Sequence, residues 1–310
     1  MQHAASKKLA ARGFFRLKNT STLSVYLNDI KRYTGSAVTQ IDDVGYGTSA
    51  NYHILRLTEF CRYDSPEVEF LENHVGSVDG MQCIELCSGT GRLGAALAAR
   101  GAYAYCVDAT PAMIDLSRLR LSKIDPRAQE RLHLVLADAS TVELPSGADL
   151  VILADGCLGY FLEDQQAGNL LSRCAESLAS DGIMYLNIFD PATRAAKDRV
   201  LSSEWTRDIA HSEDGYSLVQ FRRSSTVDTE RNIIETEYNS FLFKPSTTGI
   251  SYFDFKMRYR LRSGEAVAEL LRSSGLRIER LFNNVLRKPN GEPLDDHAVY
   301  LCKRERAETV

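Results

Sequence analysis

Glu85-Leu86-Cys87-Ser88-Gly89-Thr90-Gly91-Arg92-Leu93-Gly94 joins a short apolar run to an Ala/Leu-rich helical period. Gly89 and Gly91 lack a Cβ, so the main chain there can bend sharply and admit a ligand closely. Gly89-x-Gly91-x-x-Gly94 also satisfies the dinucleotide fingerprint. Asp108 closes the next apolar run, where a carboxylate can accept both hydroxyls of a ribose. Glu85 lies four residues before Gly89. An acid there suits a cationic, amino-acid-bearing ligand and repels a pyrophosphate docked on a helix N-terminus. Met113 falls one turn into the following helix, where a thioether can lie on an adenine ring. Asp138-Ala139 ends a third run and offers a carboxylate and an N–H to the base edge.

The elements that must position these groups alternate. Gln82–Cys87, Ala102–Val107, Leu132–Ala137, Leu150–Leu153 and Gly182–Phe189 read as strands, and Arg92–Arg100, Thr110–Lys123 and Gln165–Leu178 as helices. Thr110 is a fitting N-cap and Pro111 a fitting first helical residue. Continuous apolar strands between helices imply a parallel sheet covered on both faces. After Pro191 the rhythm changes. Tyr216–Val227 and Ile233–Phe243 flank a five-residue hairpin loop, 228–232, and Ser251–Arg262 alternates cleanly. A helix at Gly264–Ser274 and strands Leu276–Phe282 and Ala298–Cys302 close the sheet. The first 80 residues read as mostly helical, Ser65–His74 most clearly.

Lys+Arg number 37 against 41 Asp+Glu, a net charge of −4, which argues against a surface built for a phosphate backbone. At 310 residues, 44% hydrophobic and 25% charged, the chain has an ordinary globular composition. It holds no apolar run of the ~18 residues that cross a bilayer, and no secretory leader is read at its start. Seven cysteines, several in strand-like runs, fit buried thiols in the cytoplasm rather than a disulfide framework. Cys83-x3-Cys87 is too widely spaced along a strand to share a zinc ion, and no metal site is read there. Lys7, Lys8, Arg12, Arg16 and Lys18 precede the first acid, Asp29, and read as a basic N-terminal arm.

Glu85-Leu86-Cys87-Ser88-Gly89-Thr90-Gly91, Asp108, Met113 and Asp138-Ala139 together resemble the class I S-adenosylmethionine-dependent methyltransferases. The family loop has a glycine where this chain has Cys87. Tyr63-x2-Pro66-Glu67, Leu158-Gly159-Tyr160 and Asp254–Leu276 are similar to small-molecule N-methyltransferases of the sugar-amine and glycine N-methyltransferase-like kind. The likeness covers roughly residues 52–303. It implies an α/β, Rossmann-like, mostly parallel seven-stranded sheet with helices on both faces. It also implies a helical N-terminal cap (1–80), a core at 81–191 and 264–310, and an antiparallel β insert (192–263) shaping the acceptor pocket.

The resemblance further implies S-adenosyl-L-methionine as cofactor and S-adenosyl-L-homocysteine as product. Glu85 and the backbone at Cys87, Gly89 and Gly91 then hold the methionine part, and Asp108 the ribose; Thr90, Ala109 and Tyr63 also bind the cofactor, and Tyr63 can fold over the pocket. Met113, Asp138 and Ala139 flank the adenine, and Ala154 lies near the sulfonium. Asp155 is the expected base or amine anchor, and Tyr160 the residue shaping the methyl channel. Asn187 and Asp190 are further acceptor-side candidates, and Tyr52 and His53 can fold over the pocket. Lys256, Arg258, Arg260 and Arg262 are expected to face solvent, or else to roof the pocket for an anionic acceptor; Arg222 and Arg223 share that ambiguity. The expected partner is a small-molecule acceptor, without nucleic acid or membrane, and a homo-oligomer is compatible with it. A nicotinamide dinucleotide enzyme, an RNA or protein methyltransferase and a non-catalytic binder of the same cofactor remain as alternatives.

Overall fold

The computed structural model describes residues 37–40, 66–122, 124–189, 206–211, 217–243, 249–283, 285–286 and 297–305. Two compact units divide the chain. One takes 1–58, 197–226 and 235–257; the other takes 59–196, 227–234 and 258–310.

The second unit is built on a seven-stranded sheet. Its strands are β2 (Gln82–Leu86), β3 (Tyr103–Asp108), β4 (Leu132–Leu136), β5 (Ala148–Leu153), β6 (Leu178–Phe189), β11 (Leu276–Asn283) and β12 (His297–Arg304). They lie in the order β11-β12-β6-β5-β2-β3-β4. Pairs from β6 to β4 are parallel, while β12 is antiparallel to both of its neighbours. This is the expected mostly parallel sheet. Strand order reverses between β2 and β5, and an open α/β sheet binds ligands beyond the strand C-termini at such a point.

Both faces are covered because alternate side chains leave opposite sides of each strand. Ile84, Leu86, Val151, Leu153, Met184 and Leu186 pack against α5 (Asp164–Ser177) and α6 (Gly264–Ser273). On the other side Cys83, Leu150, Ile152, Ala154 and Tyr185 pack against α1 (Pro66–Val75) and α2 (Arg92–Ala99). Leu86, Leu97, Leu150 and Leu171 are fully buried, and truncating such a leucine to alanine costs ~2–5 kcal/mol. Helix α3 (Pro111–Leu121) lies against β3 and β4. A single turn, α4 (Pro126–Gln129), capped by Asp125, was not foreseen from the sequence.

The other sheet has the order β1-β10-β9-β8-β7, from β1 (Ala37–Gln40), β7 (Thr206–His211), β8 (Ser217–Asp228), β9 (Ile233–Phe243) and β10 (Gly249–Arg260). The three long strands are those expected. Added to them are β7, antiparallel to β8, and β1, parallel to β10. So the first 80 residues contribute a strand as well as a helix.

Candidate active site

Helix α2 starts at a residue with no side chain to cap it: Gly91 holds the cap position with φ 66°. The missing acceptor comes from β2. Glu85 Oε2 accepts the Gly94 N–H at 2.9 Å and the Cys106 thiol at 3.4 Å. A Cβ on Gly94 would lie 2.3 Å from Cys106 Sγ and 3.0 Å from Glu85 Oε2, so only glycine permits this approach. Burial pushes the Glu85 carboxyl up to about 8, against the opposing Cys106 hydrogen bond and Arg92 charge. Glu85 is therefore a buried brace beneath the loop, accepting from the helix that follows it. Helix α2 needed an acceptor, and the buried acid expected to face the ligand also supplies it through Oε2.

The loop is held from β3 and α3. Gly89 N–H donates to Asp108 Oδ2 at 2.8 Å, and Ser88 N–H to the Val107 carbonyl at 2.9 Å. Ser117 Oγ donates to the Gly89 carbonyl, and Arg120 Nε to that of Thr90. Sequence reasoning missed Ser117 and Arg120, which carry no motif. Cys87, where the family has glycine, takes φ 55°. A side chain in that left-handed region costs ~1–2 kcal/mol, as the family glycine would not.

Asp108 is buried, its Oδ1 accepting from Thr110 N–H at 2.9 Å while Oδ2 holds Gly89. Burial raises its pKa, and the two N–H donors act against that. A carboxylate has about four lone-pair sites, so Asp108 can hold these N–H groups and still accept from a ribose hydroxyl. Ser88 Oγ is buried and has no hydrogen-bond partner among the described residues. These groups fit a nucleoside ligand along the loop. Met113 and Ala139 are buried, and Ala109 and Asp138 exposed; Asp138 Oδ1 accepts from Ser140 N and Oγ in a local turn.

Beyond β5, Ala154 is buried and Asp155 exposed with φ 49°. Arg92 ties three elements together there. It forms a bidentate pair with Glu67 of α1 at 2.8 and 2.7 Å, and its Nη2 also reaches Asp155 Oδ2 at 3.3 Å. Asn187 is buried at the end of β6 with Oδ1 unpartnered.

The segment after Asp155 forms a 3-10 turn, Cys157–Tyr160. Gly159 lies where a Cβ would be 2.0 Å from the Tyr259 ring. Tyr259 donates its hydroxyl to the Gly156 carbonyl, and its ring meets Phe189 and the half-exposed Tyr160 at 5.3 Å each. The end of β10 then departs from the expected solvent-facing ladder. Arg260 and Arg262 both bind Asp164, at 2.8 and 2.9 Å. Arg260 also donates to the Leu162 carbonyl, and Arg262 to those of Leu158 and Phe161. Both arginines are buried or half-buried because these carbonyls need donors. Lys256 pairs with Glu235 and Arg223 with Glu237. Tyr52, His53, Tyr63 and Asp190 lie outside the described residues, as does the side chain of Arg222.

A separate hollow of about 250 Å³ at the N-terminal strand ends, lined by Gln82, Tyr103, Tyr105, Arg131 and His133, is remote from the glycine loop.

Residues 83–182 match the family described as a methyltransferase domain. No curated protein sequence matches the chain. Among solved structures, the CcbJ methyltransferase from Streptomyces caelestis is 17% identical, with TM-score 0.62, over 86% of this chain and 100% of its own. The sugar N-methyltransferase KedS8 from a Streptoalloteichus species is 17% identical, with TM-score 0.66, over 86% of this chain and 97% of its own. DesVI of Streptomyces venezuelae is 15% identical, with TM-score 0.64, over 83% of this chain and 98% of its own. Residues 83–182 thus match a methyltransferase-domain family, within a fold shared with solved methyltransferases.

Proposed function

We propose that the chain transfers the methyl group of S-adenosylmethionine to the amine nitrogen of a small molecule. The observation that carries this reading is the charge pattern around Asp155. Its carboxylate is exposed, while the arginines at the end of β10 are committed to Asp164 and to backbone carbonyls. An amine or ammonium finds an acid there, and an anionic acceptor finds those guanidinium groups occupied. Two of the structural neighbours are named as a sugar N-methyltransferase and a glycopeptide N-methyltransferase.

Ser88 and the bent main chain at Cys87 to Gly91 hold the methionine portion, with Glu85 fixing the loop from below. Asp108 takes the ribose, and Met113 and Ala139 bound the adenine. The cofactor, when bound, supplies an electrophilic methyl on a sulfonium. The protein's part is to align the nucleophile at ~3–3.5 Å and exclude water. An ammonium must first lose a proton, and Asp155 is the group able to accept it or to anchor the amine. Tyr160 walls the approach. The membrane has no part in this reading: among the described residues no helix is long and apolar enough to cross one.

Purified protein, isotope-labelled cofactor and a metabolite extract, followed by mass spectrometry, test it. Label should appear in small amines. Label confined to RNA, to protein or to carboxylic acids would overturn the reading.

A further inference from the structure

Glu67, Arg92 and Asp155 come from three separate elements and meet at the C-terminal end of β5. Arg92 and Glu67 are nearly enclosed, with side chains 11% and 4% exposed, whereas Asp155 is 72% exposed. A bidentate guanidinium–carboxylate pair fixes direction as well as charge. One Nη2 serves both acids, so the position of Asp155 is dictated by a pair that solvent hardly reaches. Of the two acids on Arg92, Asp155 is the one whose carboxylate faces solvent and is open to a ligand.

A second observation comes from β6. The Tyr185 hydroxyl is fully buried with no hydrogen-bond partner among the described residues, and the charges of Glu67, Asp155 and Arg92 act on it. Burial and the two acids push that hydroxyl well above the ordinary tyrosine value, so it remains a donor. A buried donor under the influence of these charges is free to serve a further polar group.

We propose that Arg92, backed by Glu67, is a positioning residue that fixes Asp155 as the anionic wall of the methyl-transfer position, selecting ligands that carry positive charge there. This rests on the methyltransferase reading and extends it from an acceptor class to the group that recognises the cation. The same charge serves the sulfonium before transfer and the positive charge that develops on the amine nitrogen as the N–C bond forms and the S–C bond breaks. A neutral thioether gains nothing from it.

Two probes separate the charge from the rest of the ligand. S-adenosylhomocysteine is neutral at the transfer position, and sinefungin carries an amine on carbon in its place. Isothermal titration of both against the full chain should show sinefungin binding more tightly. Asp155→Asn keeps a residue suited to φ 49° and should weaken sinefungin by about tenfold or more while S-adenosylhomocysteine changes less than about threefold. Arg92→Lys keeps the charge but not the fork, and should lower the same ratio. Combined with Asp155→Asn it should add nothing, because both act through one carboxylate. Glu67→Gln, with the Arg92 charge intact, is the second variant should Arg92→Lys fail to fold. Equal losses for both probes, or additive losses in the double variant, overturn the proposal. A wild-type chain that binds neither probe overturns the methyltransferase reading itself.

Discussion

The Glu85 carboxyl accepts the Gly94 N–H at 2.9 Å, so the acid before the glycine loop caps the helix after it. Strand β2 and helix α2 are thereby locked through a buried group, and the loop between them is set before any ligand arrives. An uncapped helix start beneath a nucleotide crevice would leave orphan donors in a dry site.

A pH dependence follows from that burial. Glu85 shifts from 4.5 in the unfolded chain to about 8 in the folded one. The folded state then holds a proton that the unfolded state has released, so stability falls as pH rises through this window and levels off above it. The slope from this group is at most ~1.4 kcal/mol per pH unit. Glu85→Gln, neutral throughout, should flatten the curve. Urea titrations between pH 5 and about 9 check this; parallel curves for both proteins would refute it.

Asp108 holds Gly89 and Thr110 N–H groups and, in the proposed site, the ribose. Asp108→Ala should weaken S-adenosylhomocysteine binding by ~1–3 kcal/mol, the cost of unpaired buried groups. Calorimetric titration would expose an unaltered affinity, which is incompatible with a ribose contact.

The Tyr259 ring occupies the place where a Gly159 side chain would go. Gly159→Ala should displace the Cys157–Tyr160 turn, lowering stability by ~1–3 kcal/mol and raising KM for the acceptor. Affinity for S-adenosylhomocysteine should be unaffected. A parallel loss of cofactor affinity would mean that the turn serves the loop at 87–91 instead.

Arg262 donates to Asp164 and to two backbone carbonyls with a guanidinium only 3% exposed. Arg262→Ala removes a donor from the Leu158 and Phe161 carbonyls while Asp164 keeps Arg260, and should cost ~1–3 kcal/mol, as unpaired buried acceptors do. Burial raises the Asp164 pKa, but the Arg262 and Arg260 hydrogen bonds outweigh it and the net shift is downward. That contribution is present above the ordinary aspartate value and is lost as pH falls. Thermal unfolding of the variant near neutral pH is the measurement, and a midpoint unchanged from wild type would dismiss the clamp.

The sequence shows the sheet well because its strands are apolar on both faces and its helices begin at ordinary signals such as Thr110-Pro111. The glycine loop and Asp108 are legible as neighbours because each ends a strand of the parallel sheet, and the structure joins them through the Gly89 N–H. Three features were hidden. Glu85 faces Gly94 because an uncapped helix needed an acceptor, which no motif announces. Arg260 and Arg262 look like a solvated ladder until the carbonyls at 158–162 that they serve come into view. Glu67 and Arg92 lie 25 positions apart, and only the packing of α1 on α2 brings them to Asp155.

The most direct measurement is a crystal structure of the chain with S-adenosylhomocysteine. Density should run along Cys87–Gly91 with the ribose hydroxyls on Asp108 and the sulfur toward Ala154 and Asp155. A ligand bound elsewhere, or a crevice closed by Asp108 and Met113 against each other, would contradict the methyltransferase site described here.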